Sequence, residues 1–226
     1  MRFRLFRHFR AVLQPLFWKV YQWYYSKPGW YKYEGLFIRI LPTVFHPGWF
    51  ISTKVLLHFL LQKDLVNKRV LELGAGSGLI GLRAANAGAL VTVSDINPHA
   101  IEAMKQSSVK NNIPLVLLGS DLFQDIPIQI FDYIVINPPY FPRKPKDLWE
   151  SAFFCGSDFE YFRILFTQIH PFLGIGTKTY LILSEYCAIE NIKDIAIIHR
   201  LELHLVLEKR KAGEWQYIFE VLKFPN

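Results

Sequence analysis

The run Val70-Leu71-Glu72-Leu73-Gly74-Ala75-Gly76-Ser77-Gly78-Leu79-Ile80-Gly81-Leu82 constrains this chain more than any other stretch. Four residues suited to a buried strand pass directly into glycines at alternate positions, and a helical pattern follows at once. A turn this tight needs positive φ values, which glycine adopts without penalty. A bound nucleoside can approach the backbone only where no Cβ intrudes. Strand–turn–helix units of this kind belong to parallel α/β sheets, where ligands collect at the carboxyl ends of the strands. Taken alone, the loop also serves dinucleotide enzymes, whose pyrophosphate faces the helix N-terminus.

From Lys68 onward the rhythm is regular. Strand patterns fall at 69–73, 90–94, 115–119, 132–136, 178–184, 200–207 and 216–223, and helical ones at 79–87, 98–111, 158–170 and about 188–196. Their alternation predicts a parallel sheet with right-handed crossovers. The last two strands are joined only by the charged stretch Glu208 to Glu214, with Gly213 inside it, so they should form an antiparallel hairpin. Upstream, Tyr33 to Leu41 alternates as a short strand or hairpin arm. Thr53 to Gln62 is apolar at helical spacing. The expected fold class is α/β, with seven strands, mostly parallel, in a domain spanning residues 31–226.

The 226 residues suffice for one sizeable domain, and 51% hydrophobic against 20% charged residues exclude global disorder. The first thirty residues stand apart: Arg2, Arg4, Arg7 and Arg10 alternate with Phe3, Leu5, Phe6 and Phe9, and Trp18, Tyr21, Trp23, Tyr24 and Tyr25 follow. Pro15, Lys19 and Gln22 interrupt the apolar run, so neither a cleavable signal nor a bilayer span fits. Residues 1–30 read either as a basic interfacial helix making peripheral contact with an anionic membrane or as a helix packing its aromatics on the domain or a second subunit. The net charge of +7 suits a polyanionic partner but decides nothing alone. Cys155 and Cys187 are the only cysteines, without metal-ligand spacing. They are expected as reduced thiols in a cytoplasmic protein, and no metal site is expected.

Candidate site residues recur at strand ends. Glu72 stands just before the first glycine. Asp95 ends the second strand pattern, about twenty residues past the glycine loop, where a carboxylate can accept both ribose hydroxyls. Asp121 follows the third. Asn97 reads as a helix cap. The fourth pattern, Phe131 to Ile136, runs into Asn137-Pro138-Pro139-Tyr140. Two prolines freeze this backbone and remove N–H donors. The Pro138 carbonyl and the Asn137 side-chain carbonyl are left to accept hydrogen bonds from a planar –NH₂, on which Tyr140 can stack.

These motifs, in this order and spacing, resemble those of the S-adenosylmethionine (SAM) dependent methyltransferases of the Asn-Pro-Pro-Tyr class. From about Val44 to Phe224 the chain resembles the protein-(glutamine-N5) methyltransferases that modify release factors, and the related small methyltransferase domain enzymes acting on ribosomal RNA guanine. Val44-Phe45-His46-Pro47 and Lys211-Ala212-Gly213-Glu214 are further shared features. The resemblance implies a Rossmann-like SAM methyltransferase fold. It implies that Glu72, Gly74, Ala75, Gly76, Gly78, Asp95, Asp121, Leu122, Asn137 and Thr53 hold SAM (leaving as S-adenosylhomocysteine), with Glu72 toward the cationic sulfonium, Asp121 toward the adenine amino group and Leu122 or Phe123 against the ring. Asn137, Pro138, Pro139 and Tyr140 would present the acceptor nitrogen. A short leader stands where the bacterial release-factor enzymes have a helical substrate-selecting domain. The acceptor is therefore expected to be a protein glutamine in a translation factor or ribosomal protein, or else an adenine or guanine amino group of RNA or DNA. The rival of another class is a non-catalytic, membrane-associated SAM-binding module. Arg143, Lys144 and Lys146, beyond the motif, are candidate phosphate contacts.

Overall fold

A computed structural model describes residues 27–224. Most of the expected basic-aromatic leader, residues 1–26, lies outside the described residues. Its membrane reading therefore has no structural counterpart. Among the described residues no helix is long and apolar enough to cross a membrane.

Nine strands and five α-helices lie among the described residues. A hairpin of β1 (Gly29–Tyr33) and β2 (Leu36–Ile40) comes first, then α1 (Ile51–Leu60). The alternating region continues with β3 (Arg69–Leu73), α2 (Leu79–Asn86), β4 (Leu90–Asp95), α3 (Pro98–Asn111), β5 (Val116–Gly119) and β6 (Tyr133–Ile136). It ends with α4 (Glu160–Gln168), β7 (Lys178–Ser184), α5 (Ile189–Ile198), β8 (Leu201–Lys211) and β9 (Glu214–Lys223). The sheet order is β5-β4-β3-β6-β7-β9-β8, with β9 antiparallel to both neighbours. The seven-stranded, mostly parallel sheet expected from the sequence is thus present.

Helices cover both faces of the sheet, so its central strands read as nearly continuous apolar runs. Strand alternation divides the core in two. Val70, Val93, Val135 and Ile182 face α1, α2 and α3. Leu71, Leu73, Ile134, Ile136 and Leu183 face Phe162, Leu165 and Phe166 of α4 and Ile192 and Ile195 of α5. Phe131, Phe162 and Phe166 are fully buried, each contributing roughly 1.5–3 kcal/mol from apolar surface removed from water.

Two hairpins differ from expectation. The stretch 208–211 was expected as a turn because it is charged, yet it extends β8. The turn is only Ala212-Gly213, with φ 49° and 84° and Lys211 opposite Glu214. One face of this outer strand is wet, so charge there marks solvent rather than a loop. Likewise Tyr33 ends β1 rather than opening a strand, and Glu34-Gly35 makes the turn with φ 45° and 86°. This first hairpin pairs with no strand of the main sheet. Instead Asn111 of α3 accepts from the Phe37 N–H (2.9 Å) and donates to the Phe37 carbonyl (2.7 Å), and Ser107 accepts from the Arg39 N–H (2.8 Å). Side chains of α3 thereby satisfy an exposed strand edge and lead the chain back over the glycine loop.

Candidate active site

The order of strands places the site. The order in which strands join the sheet reverses between β3 and β6, which are parallel neighbours with Leu73 opposite Ile136. The next residues, Gly74 and Asn137, therefore leave the sheet side by side, in the crevice that open α/β sheets use for ligands. One strand further out, Asp95 is opposite Gly119, so the segment carrying Asp121 leaves beside it. A cavity of about 490 Å³ opens above these four strand ends. It is lined by Thr53, Glu72, Gly74, Ala75, Gly76, Asp95, Asp121, Leu122, Asn137, Pro138, Pro139 and Tyr140. Of the residues that the resemblance implies for SAM and the acceptor nitrogen, Gly78 alone does not line it.

Gly78 has a different duty. It caps α2 with φ 69°, and a Cβ there would stand 2.6 Å from Met104 Cγ. Its bareness serves the packing of α2 on α3, not a ligand. Gly76 (φ 54°) admits Phe45, whose Cβ would stand 3.2 Å from an added methyl, and Gly74 (φ 65°) faces open space. Phe123 is a second difference: it stacks on Phe172 (4.5 Å, 27°) in the core, leaving Leu122, at φ 51°, to face the cavity.

The carboxyls are held by backbone donors. Glu72 Oε2 accepts the Gly81 N–H at 2.6 Å, inside the first turn of α2. Burial pushes this carboxyl up to about 8, the Asp95 charge adds to the rise, and the Gly81 N–H works against it. Asp95 accepts from Gly76 (2.7 Å) through one oxygen and from Asn97 (2.8 Å) through the other. Burial raises its pKa too, opposed by those two N–H groups. A carboxylate has about four acceptor positions, so Asp95 pins the glycine loop and keeps acceptor capacity for a further pair of hydroxyls. Asn97 caps α3 by accepting from the His99 N–H (3.0 Å), as expected, and its Nδ2 donates to the Thr43 carbonyl (3.1 Å).

At the other end of the cavity, Asn137 Nδ2 donates to Thr53 Oγ1 at 3.2 Å. Tyr140 rests edge-on to Phe141 (4.8 Å, 61°), and burial drives its phenol far above the ordinary range, so it stays neutral. The loop after the motif folds back over it. The N–H groups of Tyr140 and Phe141 both donate to the Phe153 carbonyl, and Cys155 N–H donates to the Phe141 carbonyl at 3.0 Å. Arg143 pairs with Glu150 (2.6 Å) and lies 3.6 Å from the centre of the Phe154 ring. Of the three candidate phosphate contacts only Lys144 lines the cavity.

Sequence reasoning missed the aromatic wall. Phe45 and Phe50 stack at 4.5 Å, and Phe153 meets them at 5.8 and 5.5 Å. Tyr161 lines the same cavity, its phenol raised by burial and by Asp95 and Asp121. These rings come from segments 45–50 and 153–161, each rich in aromatics but without a fixed spacing that marks a site. Among the described residues no cluster of three or more His, Cys, Asp or Glu could hold a metal, and both cysteines are free thiols.

This arrangement is that of a Rossmann-like methyltransferase, and comparison with known proteins agrees. Residues 36–155, more than half of the chain, match the family described as Methyltransferase small domain. The chain belongs to that family. It is 37% identical over 119 residues to a Methanocaldococcus jannaschii protein provisionally named protein N5-glutamine methyltransferase, covering 52% of this chain and 58% of that one. It is 34% identical over 113 residues to ribosomal RNA small subunit methyltransferase C of Actinobacillus pleuropneumoniae, covering 49% of this chain and 34% of that one. It thus spans between a third and three-fifths of the length of these relatives. Among solved structures, the E. cuniculi Mtq2–Trm112 complex, described as responsible for methylating the translation termination factor eRF1, shares the fold. Its TM-score is 0.62 at 22% identity, over 80% of this chain and 99% of that one.

Proposed function

We propose that this chain is a SAM-dependent N-methyltransferase whose acceptor is a planar amide or amino nitrogen, in the first place a protein glutamine side chain. One observation carries the reading: Asn137–Tyr140 lines the same cavity as Glu72, Asp95 and Asp121. The residues fit SAM. Open space above Gly74 admits a close-lying ligand, Asp95 retains acceptor positions for ribose hydroxyls, and Leu122 offers an apolar surface for adenine. Glu72 is a buried carboxyl whose charge a sulfonium would favour.

When bound, SAM supplies an electrophilic methyl group on a sulfonium. The protein's part is to present the nucleophile. Asn137 Oδ1 and the Pro138 carbonyl accept the two N–H bonds of the acceptor, fixing its plane and stabilising the positive charge that grows on nitrogen. Tyr140 lies against the acceptor plane. The methylated nitrogen then loses its proton to water, so no strong base is required. Phe45, Phe50 and Phe153 exclude water and strengthen these interactions.

A nucleic-acid amino group is the second reading, motivated by the ribosomal RNA relatives and by Lys144 at the cavity. The protein reading is preferred because Arg143, the strongest phosphate donor of the loop, is committed to Glu150 and Phe154. A non-catalytic SAM module leaves the placement of Asn137–Tyr140 without a purpose. The test is transfer from radiolabelled SAM to extract of a methylation-depleted host, divided by nuclease and protease treatment. Label lost with protease supports the glutamine reading; label lost with nuclease replaces it.

A further inference from the structure

We infer that Thr53 is the positioning residue that holds the Asn137 side chain in place at the acceptor site, and is not a cofactor ligand; this rests on the methyl-transfer reading above. An asparagine amide is nearly symmetric in shape but opposite in chemistry at its two ends, with two donors on nitrogen and an acceptor on oxygen. If Nδ2 faced the acceptor site, donors would meet donors and an –NH₂ group could not be held. The motif alone does not settle which end faces inward: its prolines fix the backbone but not the terminal torsion of Asn137, which is broad and two-fold.

Thr53 supplies a fixed partner: its hydroxyl can accept or donate, and in the structure it accepts from Asn137 Nδ2. It sits in the first turn of α1, is 5% exposed, and its Oγ1 stands 3.2 Å from Asn137 Nδ2. With Nδ2 engaged there, Oδ1 is the end left for the acceptor. The contact joins residues 84 apart in sequence, bringing α1 to the end of β6. α1 is fixed by Val55, Leu56 and Leu60 in the core beneath it, all buried, so the hydroxyl is a rigid reference point rather than a mobile partner. Ser52 and Thr53 are the two buried polar residues of α1, whose other polar residues, Lys54 and His58, are not buried.

The experiment compares Thr53→Val, Thr53→Ser and Thr53→Ala in the full chain. Methyl transfer is measured from radiolabelled SAM to the same extract, SAM affinity by calorimetry, and the Asn137 side-chain ¹⁵NH₂ resonance by NMR, that signal being assigned by its absence in Asn137→Ala. Thr53→Val and Thr53→Ala should lower kcat about ten- to a hundredfold, the scale of a misplaced reacting group. SAM affinity should stay within twofold and the Asn137 resonance should move. Thr53→Ser should restore all three readouts. Weakened SAM binding with an unmoved Asn137 resonance overturns the inference and makes Thr53 a cofactor contact. Full transfer by Thr53→Val overturns it as well. The resonance is read without any acceptor, so a failure of the methyl-transfer reading, seen as full activity in Asn137→Ala, is distinguishable from a failure of the Thr53–Asn137 contact.

Discussion

Asp95 and Asn137 divide the work of the cavity between cofactor and acceptor, and their variants should separate in the same way. Removing the Asn137 side chain deletes an acceptor for the target nitrogen and leaves the four-strand cradle untouched. Asn137→Ala is expected to abolish turnover while SAM affinity, measured by calorimetry, stays within roughly threefold, less than 1 kcal/mol. Asp95→Ala should do the reverse. It removes charge-assisted hydrogen bonds to the ligand, each on the order of 1.5–3 kcal/mol, and releases the Gly76 N–H that shapes the loop. SAM affinity should therefore fall by at least tenfold in the same titration. Equal loss of SAM binding in both variants would mean that Asn137 belongs to the cofactor site.

At the scale of elements, the strand–turn–helix unit at 70–82 shows what a sequence does and does not disclose. Its alternate glycines disclose a turn with positive φ, and all three adopt one: 65°, 54° and 69°. They do not disclose why each is bare, because Met104 comes from α3 and Phe45 from the chain entering α1. Gly78→Ala should consequently behave as a packing variant. The left-handed φ and the Met104 contact together cost about 1–3 kcal/mol, read as a lower urea midpoint, whereas SAM affinity of the folded protein changes less than in Asp95→Ala. The same reasoning explains the rest of the site. Glu72, Asp95, Asp121 and Asn137 were legible because each follows or ends a strand whose period is visible. Phe50, Phe153 and Tyr161 were not, because their place depends on the fold-back of 141–156, held by Glu150 accepting from Arg143 and from the Lys146 N–H. Charge likewise misled at 208–211, where an outer strand faces water on one side.

Across the whole molecule, the buried carboxyl at the centre of the sheet ties stability to pH and to the ligand. Glu72 titrates near 8 in the fold against 4.5 for an ordinary glutamate. Between those values the folded state holds the proton and the unfolded chain does not, so this group favours folding at low pH and loses that contribution as pH rises through 8. Asp95, also raised by burial, acts with the same sign above its ordinary value. His46 opposes them lower down. Burial depresses it to about 4 from 6.5, so the unfolded state binds the extra proton in that interval and stability rises with pH there. Glu72 and His46 oppose each other below 6.5, and from 6.5 to 8 Glu72 acts without that opposition. The ligand-free protein should lose melting temperature over that interval, and Glu72→Gln should flatten the curve. A sulfonium beside Glu72 favours the ionised carboxyl, whereas the neutral thioether of S-adenosylhomocysteine does not. The stabilisation by SAM, relative to that by S-adenosylhomocysteine, should therefore grow from pH 6.5 to 8 in thermal melts. A ratio independent of pH in the native chain would place the sulfonium away from Glu72 and leave that carboxyl with its structural role alone, as the acceptor that anchors the first turn of α2.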